Sequence, residues 1–361
     1  MSFKSSLALF TFLAIIFVFL PNTTFASEEN TVADSSTTDS ASAERVEGFN
    51  PGKLIMGHIM DANEWHLWGS EEAPVSIPLP IILYNKERGF SCFLSSRFEH
   101  GHASYAGYKK NEEGTIVAED GSKFYNISIT KNVLELFISV AILLFVFLSV
   151  AKTYARNGNA APSGLQAAIE PMIVFVRDDI AKPAIGEKKF RKFMPYLLTI
   201  FFFIWVNNLL GLIPIFPGGA NVTGNIAIPL TLACFTLVIM LANGNKNYWR
   251  HIFAMPGVPI YVLPIITLLE FIGIFLKPFV LMVRLFANIM AGHIVVLVFF
   301  CLIFVAGQAS SGAGFGASVP AVAFSIFINL LELLVGFLQA FVFTFLSAIY
   351  FGMATQEEAH H

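Results

Sequence analysis

A small set of ionisable and amide side chains lies inside the two longest apolar stretches of the sequence. Residues 263–353 carry four formal charges: Glu270, Lys277, Arg284 and Glu332. One histidine and two amides complete the set: His293, Asn288 and Gln339. A charge at the centre of a bilayer costs about 2.5–3.5 kcal/mol on insertion scales, so such groups are retained mainly for function. We therefore expect this set to act on protons or ions.

The spacing of these residues assigns them to faces of helices. Glu270, Lys277 and Arg284 recur every seven residues and so share one helix face, which Asn288 continues one turn later. His293 lies nine residues beyond Arg284 and turns to the opposite side. Lys277 precedes a proline, and a kink or a snorkelling side chain explains it as well as a functional role does.

The chemistry open to these side chains is proton transfer around a fixed charge. Because an arginine does not release its proton in a protein, Arg284 can only attract a carboxylate and repel passing protons. Glu332 together with His293 can load and release a proton near neutral pH, and Glu270 can do so at another depth. Two proton sites separated by a permanent cation predict two half-channels that do not connect.

The composition places the chain in a membrane. Of its 361 residues 55% are hydrophobic and only 13% are charged, with a mean hydropathy of +0.67, whereas soluble domains carry about 25% charged residues. This argues against a soluble enzyme, a nucleic-acid binder and a disordered protein. The three cysteines predict neither a disulfide framework nor a metal site: Cys92, Cys234 and Cys301.

The first 132 residues predict a targeting segment and a small domain outside the cytoplasm. Residues 1–26 are typical of a cleaved signal peptide, with an uncleaved first span as the alternative, and the polar residues 27–48 predict a disordered linker. Residues 49–132 form the domain, with strands expected at 75–84, 90–98 and 124–130. Its histidines match no standard metal spacing, and we expect them to be solvated: His58, His66, His100 and His102.

Residues 133–358 predict an all-α polytopic membrane domain with about five membrane helices after signal removal. A first span covers residues 134–151, a basic amphipathic helix on the cytoplasmic face covers 162–192, and 195–245 holds two spans separated at 214–224. Because the basic clusters fall on one side, the positive-inside rule places the N-terminus outside and the C-terminus in the cytoplasm.

The last two apolar stretches, 264–306 and 320–353, are too long for a direct crossing. We expect a steeply tilted helical hairpin over 260–353, joined by a loop of small residues at 307–318. In a regular hairpin His293 meets Glu332, and Arg284 meets Gln339.

The membrane domain resembles subunit a of the membrane sector of bacterial F-type ATP synthases over about residues 130–358. The resemblance rests on Glu270-(x)6-Lys277-Pro-(x)5-Arg284-Leu-Phe-Ala-Asn288-(x)4-His293 and Glu332-(x)6-Gln339, with Asn207-Asn208-Leu-Leu-Gly-Leu-Ile-Pro214 and Asn221-Val-Thr223. The N-terminal domain departs from the family, because it is longer than in most members.

The resemblance implies a role for each matched residue. Arg284 corresponds to the essential cation that faces the carboxylate of a rotating ring of c subunits. The outer half-channel corresponds to Asn288, His293, Glu332 and Gln339, and the cytoplasmic one to Glu270. The implied function is that of a stator that loads and unloads protons on the ring to drive rotary ATP synthesis.

The implied partners are the c ring, the b-subunit peripheral stalk, the rest of the ATP synthase and membrane lipid, in a bacterial inner membrane. Such a subunit is no enzyme by itself and binds no nucleotide, nucleic acid, cofactor or metal; the sequence contains no P-loop. The alternative is a self-contained proton- or sodium-coupled secondary transporter. That class needs internal repeats with paired broken helices, and the polar residues here lie in one terminal hairpin.

Overall fold

A computed structural model describes residues 51–68, 75–101, 103–111, 114–157, 161–213, 216–253, 255, 258–259 and 261–356. The expected signal peptide (1–26) and disordered linker (27–48) lie outside the described residues. So do the side chains of the histidines expected to be solvated: His58, His66, His100 and His102. Within the described ranges, no three potential metal ligands come together.

The N-terminal unit is a short helix followed by three small antiparallel sheets. Its elements are α1 Pro51–Ile59, β1 Glu64–Trp68, β2 Val75–Pro78, β3 Pro80–Asn85, β4 Gly89–Leu94, β5 Tyr108–Lys110, β6 Ile116–Ala118 and β7 Phe124–Asn126. Strand β1 pairs with β2, β3 lies between β4 and β7, and β5 pairs with β6. The strand predicted at 75–84 is divided at Leu79 into β2 and β3, which belong to different sheets, and the strands predicted at 90–98 and 124–130 are present but shorter. Strands β1, β5 and β6 lie outside the predicted runs.

Alternation of side chains along β3 builds the core of this unit. Ile81 and Leu83 are fully buried, as expected for residues two apart on one face of a strand. They contact Phe98 and Tyr108, which lie on the following connection and on β5, and Ile116 on β6. The sheets thus enclose a small core of their own beside the membrane domain.

The rest of the described chain is helical. It comprises α2 Lys131–Asn157, α3 Leu165–Phe175, a π-helical turn Val176–Ala181, α4 Lys182–Ile185, α5 Phe190–Leu212, α6 Ala227–Ala242, α7 Lys246–Phe253, α8 Leu263–Ala309 and α9 Ser311–Thr355. Helices α2, α5, α8 and α9 are long and apolar enough to cross a membrane, and α6 with α7 makes a fifth candidate, bent by 102°. The predicted all-α polytopic membrane domain is confirmed.

Helix α5 lies at the centre of the membrane domain. Leu197, Ile200, Phe201 and Ile204 are completely buried, and their spacing is that of one face of a helix. They belong to the same core as the buried face of α9, where Phe351 stacks on Phe193 with ring centroids 4.8 Å apart. Helix α5 therefore fixes the position of the second arm of the hairpin.

The two ends of the membrane domain contact different parts of the chain. At one end the Lys189 ammonium donates to the Thr355 carbonyl at 2.7 Å, and the Asn245 N–H donates to the Ala354 carbonyl at 2.8 Å. At the other end the N-terminal unit contacts the α5–α6 loop, with the Trp65 and Phe216 rings 5.2 Å apart. The basic segments and the C-terminal end of α9 thus lie together, opposite the N-terminal unit.

The predicted loop at 307–318 is wrong. Helix α8 continues to Ala309 and α9 begins at Ser311, because Ser310 alone leaves the helical conformation and its Oγ accepts the Ala313 N–H at 3.1 Å as an N-cap. Small residues allow close approach beside this turn: a Cβ on Gly314 would lie 2.9 Å from the Cα of Gly307. The arms have 47 and 45 residues, or about 70 Å each, far more than a direct crossing of about 30 Å requires.

The close approach of α9 to α4 generates a stability prediction. A Cβ on Gly352 would lie 2.0 Å from the Ala184 carbonyl oxygen, whereas a Cβ on Gly273 would meet nothing within 4 Å. We expect Gly352→Ala to destabilise the purified chain by about 1–3 kcal/mol, as overpacking does, and Gly273→Ala to leave it unchanged or slightly more stable. Thermal unfolding midpoints in detergent compare the two variants, and equal midpoints would contradict this packing.

Candidate functional site

The site is built around a contact between the two arms of the hairpin. The His293 Nε2 on α8 lies 3.8 Å from the Glu332 Oε1 on α9, which is ion-pair distance but too long for a hydrogen bond. Glu332 is buried, with 6% of its surface exposed, and His293 is half-buried. The predicted meeting of these two residues is confirmed.

A glycine on α8 makes room for the pair. A Cβ on Gly292 would lie 2.6 Å from the Glu332 Oε1, so a side chain there would displace the carboxyl group. A Cβ on Gly211 of α5 would lie 3.8 Å from the His293 Nε2 and 3.4 Å from the Ala220 carbonyl oxygen, which is ordinary van der Waals contact. The backbone of α8 therefore approaches Glu332 as closely as glycine allows.

Amide and hydroxyl groups on α5 and the α5–α6 loop form the wall that faces Glu332. The Asn208 Nδ2 donates to the Gly336 carbonyl at 3.0 Å, and the Thr223 Oγ1 donates to the Asn208 Oδ1 at 2.8 Å. The Asn207 Nδ2 donates to the Phe203 carbonyl at 2.7 Å. These bonds join α5, the loop and α9 one turn from Glu332.

A void of about 10 Å³ separates these groups from the His293–Glu332 pair. It is lined by Asn207, Asn208, Gly211, Leu212, Ala220, Asn221, Val222, Thr223, Ile289, His293 and Glu332. The Asn207 Oδ1, Asn221 Nδ2 and Glu332 Oε1 are buried and have no hydrogen-bond partner in the described chain. Since one water needs about 10–15 Å³ and two to four polar partners, the void suits a single water that bridges the carboxyl and the amides.

Arg284 lies on the other side of the hairpin. Arg284 and Asn288 are both exposed, as their shared face predicts, among exposed apolar neighbours such as Phe279 and Val283. In the part of the chain that the structure describes, no carboxylate comes within 4 Å of the Arg284 guanidinium. The guanidinium is thus exposed among apolar side chains, without a carboxylate of the described chain beside it.

The predicted meeting of Arg284 with Gln339 stays a prediction. In the described chain no hydrogen bond joins them, and Gln339 is buried while Arg284 is exposed. Two contacts enclose this part of the hairpin: the Lys277 ammonium lies 5.9 Å from the Tyr350 ring centroid, and His293 lies beside Glu332. Gln339 therefore lies within about one helical turn of Arg284 along the hairpin.

Glu270 and Lys277 lie at the edge of the exposed face, because both side chains are half-buried. Glu270 is within electrostatic reach of the Tyr248 hydroxyl on α7. The helical rise places Glu270 about 21 Å from Arg284 along α8, with His293 about 13 Å beyond Arg284 in the opposite direction. The three sites therefore lie at three depths.

Several residues of the site carried no assigned role at the level of sequence: Glu135, Asn207, Asn208, Asn221 and Thr223. Glu135 is completely buried near the start of α2, and its Oε2 accepts the Ala220 N–H at 2.8 Å. Adjacent amides within a long charge-free segment are the signal that identifies the Asn207–Asn208 pair. Glu135 resembles an ordinary charge at a span end, so the sequence offers no comparable signal for it.

Comparisons with known proteins agree with this architecture. The family described as ATP synthase A chain matches residues 133–352, and a family described only as a domain of unknown function matches residues 54–136. ATP synthase subunit a 2 of Prosthecochloris aestuarii is 46% identical over 243 residues, which cover 65% of this chain and 71% of that protein. ATP synthase subunit a of Pelodictyon phaeoclathratiforme is also 46% identical, over 65% of this chain and 68% of its own length.

A more distant relative aligns over a longer part of the chain. ATP synthase subunit a of Anaeromyxobacter dehalogenans is 36% identical over 314 residues, which cover 84% of this chain and 77% of that protein. The family match spans the α2–α9 helices and includes the His293–Glu332 contact, Arg284 and Glu270. The chain belongs to the ATP synthase A chain family.

Proposed function

We propose that the chain conducts protons through two offset half-channels and exchanges them with the carboxylates of a c-subunit ring. It is a multi-pass membrane subunit of the ATP synthase and is not itself catalytic. We also propose that it binds no nucleotide.

One observation supports this function above the others: the hairpin separates its titratable pair from its permanent cation. His293 and Glu332 face the polar void beside α5, and Arg284 lies on the exposed face of the same helix as His293. A group that exchanges protons is thereby kept away from a group that repels them. This arrangement is what a stator needs if protons are to pass by way of a mobile carrier.

In the proposed path of the proton, the His293–Glu332 pair, Arg284 and Glu270 each act in one step. A proton arriving from outside is held by the His293–Glu332 pair and passes to a ring carboxylate that has left Arg284. The neutral carboxyl then travels through lipid with the ring, and a protonated carboxyl arriving from the other side releases its proton past Glu270. Each elementary charge that crosses supplies about 2.3 kcal/mol per 100 mV. Asn288 and Gln339 are proposed to line the outer path.

The proposed orientation follows from the two ends of the molecule. The end that carries Lys189, Asn245 and Thr355 holds the basic segments, so it faces the cytoplasm of a bacterial inner membrane. The N-terminal unit then lies outside. The exposed face around Arg284 is the proposed contact with the c ring, and the b-subunit stalk is the second proposed partner.

The test of the central claim is Arg284→Ala in the assembled enzyme. Loss of the partner of a desolvated carboxylate costs about 3–5 kcal/mol, and about 1.4 kcal/mol is a tenfold change in rate, so we expect ATP-driven proton pumping in membrane vesicles to fall at least about a hundredfold. Lys277→Met is the matched control, because that ammonium lies beside Tyr350 and should cost much less. Pumping that survives Arg284→Ala unchanged would refute the proposed function.

A second prediction concerns the His293–Glu332 pair. Glu332→Gln keeps the shape of the side chain but not its proton chemistry, so we expect slower pumping with some activity left, since His293 still titrates. Gly292→Ala should also slow pumping, because a Cβ would push against the Glu332 carboxyl. Gly273→Ala, on the same helix in open space, is the control. Equal pumping by both alanine variants would show that the position of the carboxyl does not matter.

A further inference from the structure

Buried polar atoms without partners are concentrated along one route through the molecule. In the part of the chain that the structure describes, nine buried side-chain nitrogen or oxygen atoms make no hydrogen bond. Six of them belong to a series that runs from the N-terminal unit to the hairpin: Asn63, Asn132, Glu135, Asn221, Asn207 and Glu332. Unpaired buried polar atoms are rare in folded proteins and mark places where water is bound.

The outer end of this route lies where the N-terminal unit joins α2. The Asp61 Oδ1 accepts the N–H groups of Ala62 and Asn132, at 3.0 and 3.3 Å, and the Lys131 N–H donates to the Ala62 carbonyl at 2.9 Å. Asp61 is half-buried, so its carboxyl lies at the boundary between solvent and the interior. Burial raises the pKa of Asp61, although its hydrogen bonds and the charge of Lys131 oppose the rise.

A second carboxyl lies deeper on the same route. Lys131 is within electrostatic reach of both Asp61 and Glu135. Glu135 is completely buried, its Oε2 accepts the Ala220 N–H, and its Oε1 has no hydrogen-bond partner in the described chain. Ala220 in turn lines the void beside Glu332. Two carboxyl groups and a cation thus lead from the solvent boundary to the wall of the half-channel.

The N-terminal unit is fixed over this end of the membrane domain. The Trp65 side chain is 5% exposed and its ring meets the ring of Phe216 edge to face. Phe216 and Ala220 belong to the same loop, which also carries Asn221 and Thr223. The unit therefore covers the loop that forms one wall of the void.

We propose that the N-terminal unit forms the outer vestibule of the half-channel and that Asp61 and Glu135 pass protons through it to the His293–Glu332 pair. Asp61 takes a proton from the outer solution and releases it, through bound water, to the Glu135 carboxylate. Glu135 then releases it toward Glu332, and both carboxylates return to their starting state. The positive charge of Lys131 favours the ionised form of both carboxyl groups, which is the form that accepts the next proton. This inference rests on the proposed function.

The test replaces each carboxyl by its amide in the complete enzyme: Asp61→Asn and Glu135→Gln. An amide oxygen can still accept the backbone N–H groups of Ala62, Asn132 and Ala220, so the fold is kept while proton transfer is lost. We expect ATP-driven pumping in vesicles to fall about a hundredfold, because a positioned proton-transfer group contributes about 10²–10⁴-fold. Glu119→Gln, an exposed carboxyl of the same unit, is the matched control and should pump normally.

The order of two Glu135 variants separates a proton-transfer role from a structural one. Glu135→Asp keeps an ionisable group but shortens the side chain, whereas Glu135→Gln keeps the length and the Ala220 hydrogen bond. Proton transfer predicts faster pumping by the aspartate variant, and a structural role predicts faster pumping by the glutamine variant. Pumping rates are divided by the amount of assembled complex, which is measured by the subunit content and the ATP hydrolysis of the vesicles.

The outcomes also separate this inference from the proposed function. Normal pumping by Asp61→Asn and Glu135→Gln, with Arg284→Ala still inactive, would overturn the vestibule and leave the proposed function intact. Normal pumping by Arg284→Ala would overturn both. If Glu135→Gln pumps faster than Glu135→Asp, the role of Glu135 is to hold the α5–α6 loop. That result would also overturn the proposal of an outer vestibule.

Discussion

A carboxyl group inside an apolar helix bundle needs polar groups from neighbouring helices around it. The Glu332 carboxyl imposes this requirement on the elements that surround it. The cost of an unpaired buried polar group is several kcal/mol in an apolar medium, so every element near Glu332 contributes polar atoms or space. Helix α8 supplies His293 and, through Gly292, room for the carboxyl; α5 supplies two asparagines. Parts of α5, α8 and the α5–α6 loop are thus arranged around one side chain of α9.

The same constraint applies to residues 218–224 of the loop between α5 and α6, most of which are buried although loops are usually exposed. Ala220, Val222 and Thr223 have almost no accessible surface; the Ala220 N–H donates to the Glu135 carboxyl and the Thr223 hydroxyl donates to Asn208. A buried loop needs such partners, because its own backbone cannot satisfy itself. The loop is therefore a structural part of the site and a link to the N-terminal unit.

Sequence reasoning identified the hairpin and its central contact because the physics there is local and periodic. The seven-residue recurrence of charges on α8 and the length of the apolar runs fixed the faces of Arg284 and His293 and predicted the meeting with Glu332. It failed for the connector, because glycine, alanine and serine are compatible with both a loop and a helix, and only the Ser310 cap decided between them.

The contribution of Glu135 could not be predicted for a different reason. Its partner, the Ala220 N–H, is 85 residues away in the chain, and a backbone group leaves no trace in a sequence pattern. Strands β2, β3, β4 and β7 of the N-terminal unit lie in runs predicted from their composition, whereas β1, β5 and β6 were not predicted. The contact of Trp65 with Phe216 joins two apolar residues among many, so the sequence does not indicate it. Contacts between residues that are far apart in the chain and common in type cannot be predicted from sequence patterns.

The exposed face of the hairpin has a mechanical consequence. Most exposed side chains near Arg284 on α8 and along α9 are apolar, including Phe279, Val280, Val283, Leu330, Leu334 and Leu338, although Asn288 is also exposed. A partner that slides over such a surface breaks few hydrogen bonds as it moves, so resistance comes mainly from the interlocking of side chains. In the proposed complex the apolar face lets the ring slide, and Arg284 supplies the positive charge that the ring carboxylates meet one after another.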